Sequence, residues 1–285
     1  MTVNAAPKIV FVSPVHRQTI SEGTSSYIYN ITFNVTDGDG FGDINNQSGQ
    51  IRINLTNSIN LTDTVDRFNT TCVNVTPFTY GGESGISFNC SVTIWYFDWP
   101  GNWTINVSAN DSAGVYVENR TGSSIEVLAT TAMVMYPNAL TWATLELGYT
   151  NRTSNNDPVI INNTGNKNIN VGGVTVAGYN LQGVTTATDF IYSGNFSIFP
   201  VNGSGSGGPI ECNGTQMVNG TSGTAAPQTI TVANITRGNN TNNDETGASG
   251  QEQLFFCLRL VPSQVSRQTY STAGVSSSPW SVAVS

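Results

Sequence analysis

Charged side chains are scarce in this chain. Only 10% of its 285 residues are Asp, Glu, Lys or Arg, against about a quarter in an ordinary globular protein. Lysine occurs only at Lys8 and Lys167, and the net charge of -8 comes with no basic stripe, which argues against nucleic acid as a partner. A surface with so few charges needs another source of solubility, and attached glycans would supply one.

Histidine occurs once, at His16, and no Gly-x-Ser-x-Gly elbow is present. A Ser-His-Asp or Cys-His arrangement is therefore not expected, and we predict that His16 is a surface residue and that the chain is not an enzyme. Paired carboxylates of a glycosidase meet in space and not in sequence. Asp98 is the least implausible candidate for such a pair, but a turn-forming role in "DWPGN" is the favoured interpretation.

Long apolar runs are also absent, so no membrane span is expected in this chain. No signal peptide follows Met1. If the protein is exported, we expect a mature or trimmed form, with any anchor outside the sequence.

Cysteine is limited to four residues, and they form two pairs in sequence, Cys72 with Cys90 and Cys212 with Cys257. Without a Cys-x-x-Cys motif or a nearby histidine, a zinc site is not indicated. Disulfides are the better interpretation and imply an oxidising compartment, here the cell exterior or cell surface. Cys72 and Cys90 lie symmetrically about Gly81, so a hairpin turning at Gly81-Gly82 would bring them together.

The residues that are abundant favour strands. Asn, Ser and Thr make up about a third of the chain, and Val and Ile outnumber Leu. Such residues disfavour helix interiors and suit strands and turns, so we predict an all-β chain of antiparallel sheets. Strand candidates in the first half are 8–12, 26–36, 50–56, 70–76, 86–97, 102–109 and 115–128. Those in the second half are 132–136, 140–147, 157–162, 167–177, 189–199, 209–218, 228–236, 252–261 and 279–284.

These candidates predict two tandem immunoglobulin-like β-sandwich domains, 1–129 and 130–285. The N-terminal segment 2–12 carries apolar residues on both faces of an extended chain. It could be donated to a neighbouring subunit, or residues 8–12 could form the first strand of their own domain; the sequence leaves both open.

Asn-x-Ser/Thr triplets are the strongest signal. The chain holds 20 of them, whereas chance placement would give about 7 or 8. The acceptors are Asn30, Asn34, Asn46, Asn54, Asn60, Asn69, Asn74, Asn89, Asn102, Asn106, Asn110, Asn119, Asn151, Asn162, Asn195, Asn202, Asn213, Asn219, Asn234 and Asn239. We predict heavy N-glycosylation; the alternative is that Asn and Thr merely fill outward faces.

Strand parity places the acceptors of two segments. Side chains alternate between faces, so Asn102, Asn106 and Asn110 share one face while Trp103, Ile105 and Val107 share the other. In 27–36, the odd positions from Tyr27 to Val35 are apolar, and the even positions from Asn30 to Thr36 are Asn or Thr. We predict that Trp103 lies in the core and the acceptors lie outside it. Trp95 and Trp99 share a parity at the turn, and their exposure stays open.

The loop "DGDGFGD" places Asp37, Asp39 and Asp43 within seven residues. Oxygen-rich loops of this kind can bind Ca²⁺, which is the single cofactor considered besides covalent glycans. Phe41 occupies the fifth position and no glutamate closes the loop, so a solvated Gly/Asp turn is the favoured interpretation. Gly-rich loops elsewhere lack the Gly-Lys-Ser/Thr ending of a nucleotide site.

Several segments resemble domains of known surface proteins. "GNWTINVSANDSAG" and "FNVTDGDGFGDI" are similar to the immunoglobulin-like repeats of archaeal and bacterial surface proteins. "MYPNALTWATLELG", "NNTGNKNINVGGVTV" and "TYSTAGVSSSPWSVAV" resemble sandwich domains of archaeal S-layer and extracellular-filament subunits. The resemblance covers most of the chain and implies a fold more than an activity, together with a structural or adhesive role.

The leading hypothesis is a structural subunit of an extracellular filament or S-layer that assembles with itself, by strand donation in one version. The alternative is a surface adhesin or carbohydrate-binding module with a host surface or other surface glycoproteins as partners. A β-sandwich glycosidase and a viral spike or capsid protein are lesser alternatives.

Overall fold

The computed structural model describes residues 3–15, 26–56, 66–205, 208–218, 226–237, 250–274 and 279–285. The regular elements are β-strands apart from three short 3-10 turns, and neighbouring strands pair in an antiparallel sense, which confirms the all-β prediction. Across these ranges no helix is long and apolar enough to cross a membrane. The chain forms two compact units: unit 1 consists mainly of Met1–Thr130, and unit 2 mainly of Thr131–Thr164, Asn168–Arg237 and Ser249–Ser285.

Unit 1 is a β-sandwich of eight strands. They are β1 (Lys8–Val12), β2 (Ser26–Asp37), β3 (Gln50–Thr56), β4 (Asp66–Asn69), β5 (Val73–Tyr80), β6 (Glu83–Trp95), β7 (Gly101–Asn110) and β8 (Tyr116–Val127). One sheet has the order β1-β2-β6-β5 and the other β4-β3-β7-β8. This is the strand order of an immunoglobulin sandwich with β4 as an added strand beside β3.

The inner faces of these two sheets form one apolar core. Phe33 of β2 and Phe88 of β6 are directly paired across the strands, and their rings stack with centroids 5.2 Å apart. From the other sheet, Trp103 of β7 is 0% exposed. Large aromatic side chains from both sheets therefore fill the space between them, as the alternation of apolar residues predicted.

Unit 2 has shorter strands and a different order. They are β9 (Met133–Tyr136), β10 (Thr150–Thr153), β11 (Val159–Asn163), β12 (Val174–Ala177), β13 (Leu181–Gly183), β14 (Phe190–Ile191), β15 (Phe196–Phe199), β16 (Ser204–Gly205), β17 (Gly208–Pro209), β18 (Thr215–Gln216), β19 (Gln228–Thr229), β20 (Gln251–Leu260), β21 (Tyr270–Ser271) and β22 (Ser281–Val284). The 3-10 turns are Ser193–Asn195, Ile210–Asn213 and Thr272–Gly274.

Strand β20 organises unit 2. It pairs with β10, β11 and β15 within the sheet ordered β18-β15-β20-β11-β9. Smaller sheets have the orders β19-β12-β22, β14-β13-β21 and β16-β17. Residues 254–258 of β20 are buried without interruption, which is typical of a strand covered on both faces. In the second apolar core, Phe196 of the neighbouring β15 contacts Trp280, which precedes β22, edge-on with ring centroids 5.0 Å apart.

Both predicted disulfides are present, and all four cysteines are used. Cys72 and Cys90 join the ends of the β5–β6 hairpin, which turns at Gly81 and Gly82. Both glycines have positive φ, at 60° and 88°, as a tight two-residue hairpin turn requires. Cys212 and Cys257 attach the Ile210–Asn213 turn to β20. Two disulfides are compatible with a secreted protein.

Several predicted strands differ in the structure. The candidate 70–76 is replaced by β4 and β5, with Cys72 between them, so that the chain changes sheets there. The candidate 140–147 pairs with no described strand. Its apolar residues alternate in two short runs, Leu140/Trp142 and Leu145/Leu147, and they pack on the core of unit 2. Alternation there reflects contact with the core and not membership of a sheet.

The N-terminal strand belongs to its own sheet in this structure. β1 pairs antiparallel with the end of β2, with Lys8 opposite Thr36 and Val12 opposite Phe33. Of the two alternatives for segment 2–12, the structure thus has the intramolecular one for residues 8–12; Thr2 lies outside the described residues.

A buried ion pair connects strand β4 to the turn between β6 and β7. Arg67 Nε donates to Asp98 Oδ2 at 3.0 Å, and Nη2 donates to Asp98 Oδ1. Both side chains are about 1% exposed. Asp98 Oδ2 also accepts the Trp95 N–H at 2.8 Å. The pair therefore joins the second sheet to the connection that leaves the first sheet.

Replacing one member of this pair should be costly. We expect Asp98→Asn to lower the free energy of unfolding by about 3–5 kcal/mol, because it leaves the Arg67 charge buried and unpaired. Asp66→Asn is the matched control: Asp66 pairs with the exposed Arg52, so its loss should cost less than about 1 kcal/mol. Urea denaturation measures both, and equal costs would contradict the role assigned to Asp98.

Candidate functional site

None of the 17 acceptor asparagines within the described residues is buried. The exposed ones are Asn30, Asn46, Asn54, Asn74, Asn89, Asn102, Asn202, Asn213 and Asn234, and the partly exposed ones are Asn34, Asn69, Asn106, Asn110, Asn119, Asn151, Asn162 and Asn195. Of the asparagines outside acceptor triplets, Asn163 and Asn166 are 0% and 1% exposed, whereas others, among them Asn45 and Asn170, are exposed. Asn60, Asn219 and Asn239 lie outside the described residues, as does His16.

On the outer face of the first sheet, two acceptors are oriented by neighbouring serines. Ser91 Oγ donates to Asn30 Oδ1, and Ser87 Oγ donates to Asn34 Oδ1, both at 2.8 Å. These bonds use the carbonyl oxygen of each asparagine side chain. The amide nitrogen, which is the atom that receives an N-glycan, is not engaged by them.

On β7 the predicted alternation is observed. Trp103, Ile105 and Val107 are 0% exposed, whereas Asn102 is exposed and Asn106 is partly exposed. Trp103 Nε1 donates to the Trp99 carbonyl at 3.1 Å, which satisfies the one polar atom of the buried ring. The core assignment of Trp103 is therefore confirmed.

The parity prediction was wrong at both ends of β2. Tyr27 is 39% exposed although it shares the inward parity, because it lies near the start of the strand. Thr36 is buried although it has outward parity, because β1 covers it and its hydroxyl donates to Glu83 Oε2 at 3.0 Å. At the ends of a strand, the burial of a side chain thus depends on neighbouring strands as well as on the alternation along the chain.

Two acceptors also have structural roles. Asn69 Oδ1 accepts the Thr71 N–H at 2.8 Å, and its Nδ2 donates to the Ser91 carbonyl at 2.9 Å. Asn110 Nδ2 donates to the Asp111 carbonyl at 3.0 Å. At these positions the amide nitrogen already has a protein partner, which disfavours its use as a glycan acceptor in the folded chain.

The other two tryptophans of unit 1 lie at the turn between β6 and β7. Trp95 stacks on Phe97 with nearly parallel planes and centroids 6.1 Å apart, and both Trp95 and Trp99 are partly buried. Asp98 between them is 1% exposed and bound to Arg67. The geometry gives Asp98 a structural role at this turn and provides no open cleft around its carboxylate.

The three loop aspartates do converge. One carboxylate oxygen from each of Asp37, Asp39 and Asp43 lies within 4.8 Å of the others. Asp37 is 1% exposed, and burial raises the pKa of its carboxyl, with the negative charges of Asp43 and Asp39 adding to the effect. The donor set consists only of carboxylates, which suits a hard cation.

A cavity of about 900 Å³ lies within unit 2 and includes none of the predicted site residues. Its lining is largely apolar and includes Leu140, Trp142, Phe196, Phe256 and Trp280. Sequence reasoning missed this cavity because segment 140–147 was assigned to a strand. The alternating apolar residues of that segment were the available signal.

No family model and no curated protein matches this chain. Among solved structures, the secreted serine protease VesC from Vibrio cholerae has 10% identity and a TM-score of 0.19, over 91% of this chain and 48% of that chain. A DUF4466 family protein from Parabacteroides merdae has 10% identity and a TM-score of 0.22, over 89% of this chain and 99% of that chain. The chain spans about half the length of VesC. Neither score is high enough to support an argument about fold or function.

The two kinds of acceptor asparagine can be separated by substitution in unglycosylated protein. We expect Asn69→Gln to lower the free energy of unfolding by about 1–2 kcal/mol, since it disrupts hydrogen bonds to Thr71 and Ser91. Asn74→Gln, at an exposed acceptor on β5, should change it by less than about 0.5 kcal/mol. Thermal or urea denaturation of protein from a non-glycosylating host measures the difference. An Asn69→Gln variant as stable as the wild type would contradict the structural role of Asn69.

Proposed function

We propose that this chain is a structural subunit of an extracellular assembly, a filament or a surface lattice, which carries N-glycans on its outer faces and has no catalytic role. The observation that carries the proposal is the exposure of the acceptor asparagines. All 17 within the described residues reach the surface, as the attachment of glycans to the folded chain requires.

Glycans on these faces would compensate for the low charge. Only 10% of residues are charged, so the chain has few of the groups that usually keep a protein soluble. Asn30, Asn34 and Asn89 lie on one outer sheet face, and Asn54 and Asn102 on another. Carbohydrate at these points would hydrate both faces of unit 1.

Assembly requires a surface that glycans leave free, and the edge of the main sheet of unit 2 supplies one. β9 is the last strand of that sheet, and its residues Val134, Met135 and Tyr136 are 51%, 36% and 49% exposed. β9 itself contains no acceptor triplet, and the acceptor Asn162 of β11, which is paired with Val134, lies on the inner side of the edge strand. An apolar edge strand is a ready acceptor for another strand, and we propose a second copy of this chain as the partner.

The glycan part of the proposal predicts the mass of the native protein. Material from its own source should be heavier than the 30.3 kDa chain by whole glycan units. Asn102→Gln should remove one unit and leave the unfolding transition unchanged, because Asn102 is exposed. Intact-mass spectrometry decides this, and a native mass equal to that of the bare chain would refute glycosylation.

The assembly part predicts a specific sensitivity at β9. The wild-type protein should form filaments or sheets that negative-stain electron microscopy can detect. Val134→Lys places a charge on the edge strand and should abolish them. Val171→Lys is the matched control, since Val171 is 63% exposed in a turn of the same unit and outside every described strand. Assemblies that persist in Val134→Lys, or native material that sediments as a monomer, would contradict the proposed edge.

A further inference from the structure

The loop after β2 holds its three aspartates in a fixed conformation. The Gly40 N–H donates to the Asp37 carbonyl at 3.1 Å, and the Asp43 N–H donates to the Gly40 carbonyl at 3.0 Å. The Asp39 N–H donates to Asp37 Oδ1 at 2.8 Å, and Ser112 Oγ donates to Asp43 Oδ1. Backbone and side-chain bonds therefore position the carboxylates independently of any ligand.

Two carboxylate oxygens of this loop are buried without a donor. Asp37 Oδ2 and Asp43 Oδ2 are inaccessible to solvent and accept no hydrogen bond from the described residues. Asp37 itself is 1% exposed, so its second oxygen cannot recover a bond from bulk water. A buried carboxylate oxygen without a partner is costly, and two of them in one loop require a compensating positive charge.

Lys8 of β1 attracts Asp37 only at longer range and forms its ion pair with a different carboxylate. Its Nζ donates to Glu83 Oε1 at 2.9 Å. Asp111, which adds negative potential at Asp37, is itself satisfied by Asn4 Nδ2 at 2.8 Å and the Val115 N–H at 2.7 Å. Two of the three carboxylates that converge, those of Asp37 and Asp43, thus each keep one buried oxygen without a donor from the described residues.

The spacing of these oxygens is compatible with one bound Ca²⁺. Two oxygens bound to one Ca²⁺ at 2.3–2.6 Å can be at most about 5 Å apart. The loop oxygens lie within 4.8 Å of one another. Ca²⁺ also accepts irregular oxygen cages, whereas Mg²⁺ demands near-octahedral geometry.

We propose that Asp37, Asp39 and Asp43 form a Ca²⁺ site, and that the bound ion fastens the N-terminal segment to unit 1. Asp39 Oδ2 accepts the Ala5 N–H at 2.7 Å, and Asn4 is bonded to Asp111. Three residues further on, β1 begins its pairing with the end of β2. An ion that fixes Asp39 would therefore also fix the residues that lead into β1.

The primary test is a thermal-shift titration of the full chain with CaCl₂ after chelator treatment. If the affinity is near that of extracellular calcium modules, 10 mM Ca²⁺ should raise Tm by about 5 °C or more, and the same concentration of Mg²⁺ should raise it much less. An unchanged Tm would overturn the site, and an equal response to Mg²⁺ would overturn its assignment to calcium.

Asp37→Asn makes this test more specific, because its effect on Tm relative to the wild type should have opposite signs in chelator and in Ca²⁺. In chelator, the variant should melt at or above the wild-type Tm, since it removes a buried charge without a partner. In Ca²⁺, it should melt below the wild type, because a ligand is lost. Asp43→Asn provides a second variant with the same expectation. Asp66→Asn, at the pair with Arg52, is the matched control and should keep the full Ca²⁺ response.

Hydrogen exchange tests the fastening separately. Ca²⁺ should slow exchange of the amides in Lys8–Val12 by at least about tenfold, while β20 of unit 2 exchanges at the same rate with and without the ion. A Ca²⁺ response in Tm with unchanged exchange in Lys8–Val12 would refute the fastening of the N-terminal segment.

Discussion

The alternation of side chains along β2 and β7 couples the core of unit 1 to its acceptor surface. Every second residue enters the core, and the residues between them carry the acceptor asparagines, so a single register determines both faces. Slipping β7 by one residue would expose Trp103 and bury Asn102 and Asn106. Because exposure of the apolar face is unfavourable, this register is preferred. The same register keeps the acceptor asparagines exposed on the opposite face.

Other interactions hold this register in place. The disulfide between Cys72 and Cys90 fixes the open end of the β5–β6 hairpin, and Gly81 and Gly82 fix the other end through the turn. The Arg67–Asp98 pair then attaches β4 of the second sheet to the turn that leaves β6. The ion pair and the covalent bond act at positions where the chain passes from one sheet to the other.

The sequence predicted the long strands of unit 1 because their apolar residues alternate over many positions. It also predicted both disulfides, from cysteine spacing and the Gly81-Gly82 turn. It did not predict the partner of Asp98, because Arg67 lies 31 residues away and the contact depends on how the sheets pack. Segment 140–147 was misassigned because apolar alternation reports burial on one face and contains no information about a hydrogen-bonding neighbour.

The loop aspartates are a second case in which the sequence does not reveal an environment that depends on packing. Their spacing in the chain favoured a solvated turn, since Phe41 interrupts the ligand pattern. Only the fold shows that Asp37 is enclosed and that two carboxylate oxygens lack donors. Burial is a property of the packed strands around the loop, and a local motif cannot report it.

The positions of acceptors and edges together restrict how copies of this chain could associate. Glycans on the sheet faces would prevent face-to-face stacking of unit 1. Two of its four edge strands are restricted as well, because β5 carries Asn74 and β8 carries Asn119, whereas the edge strand β1 carries no acceptor triplet. β9 of unit 2 has neither an acceptor nor a strand on its outer side, and its exposed residues are apolar. Glycosylation would thus direct association toward the edge strands that it leaves uncovered, and the apolar exposed residues of β9 make it the edge proposed for main-chain pairing between copies.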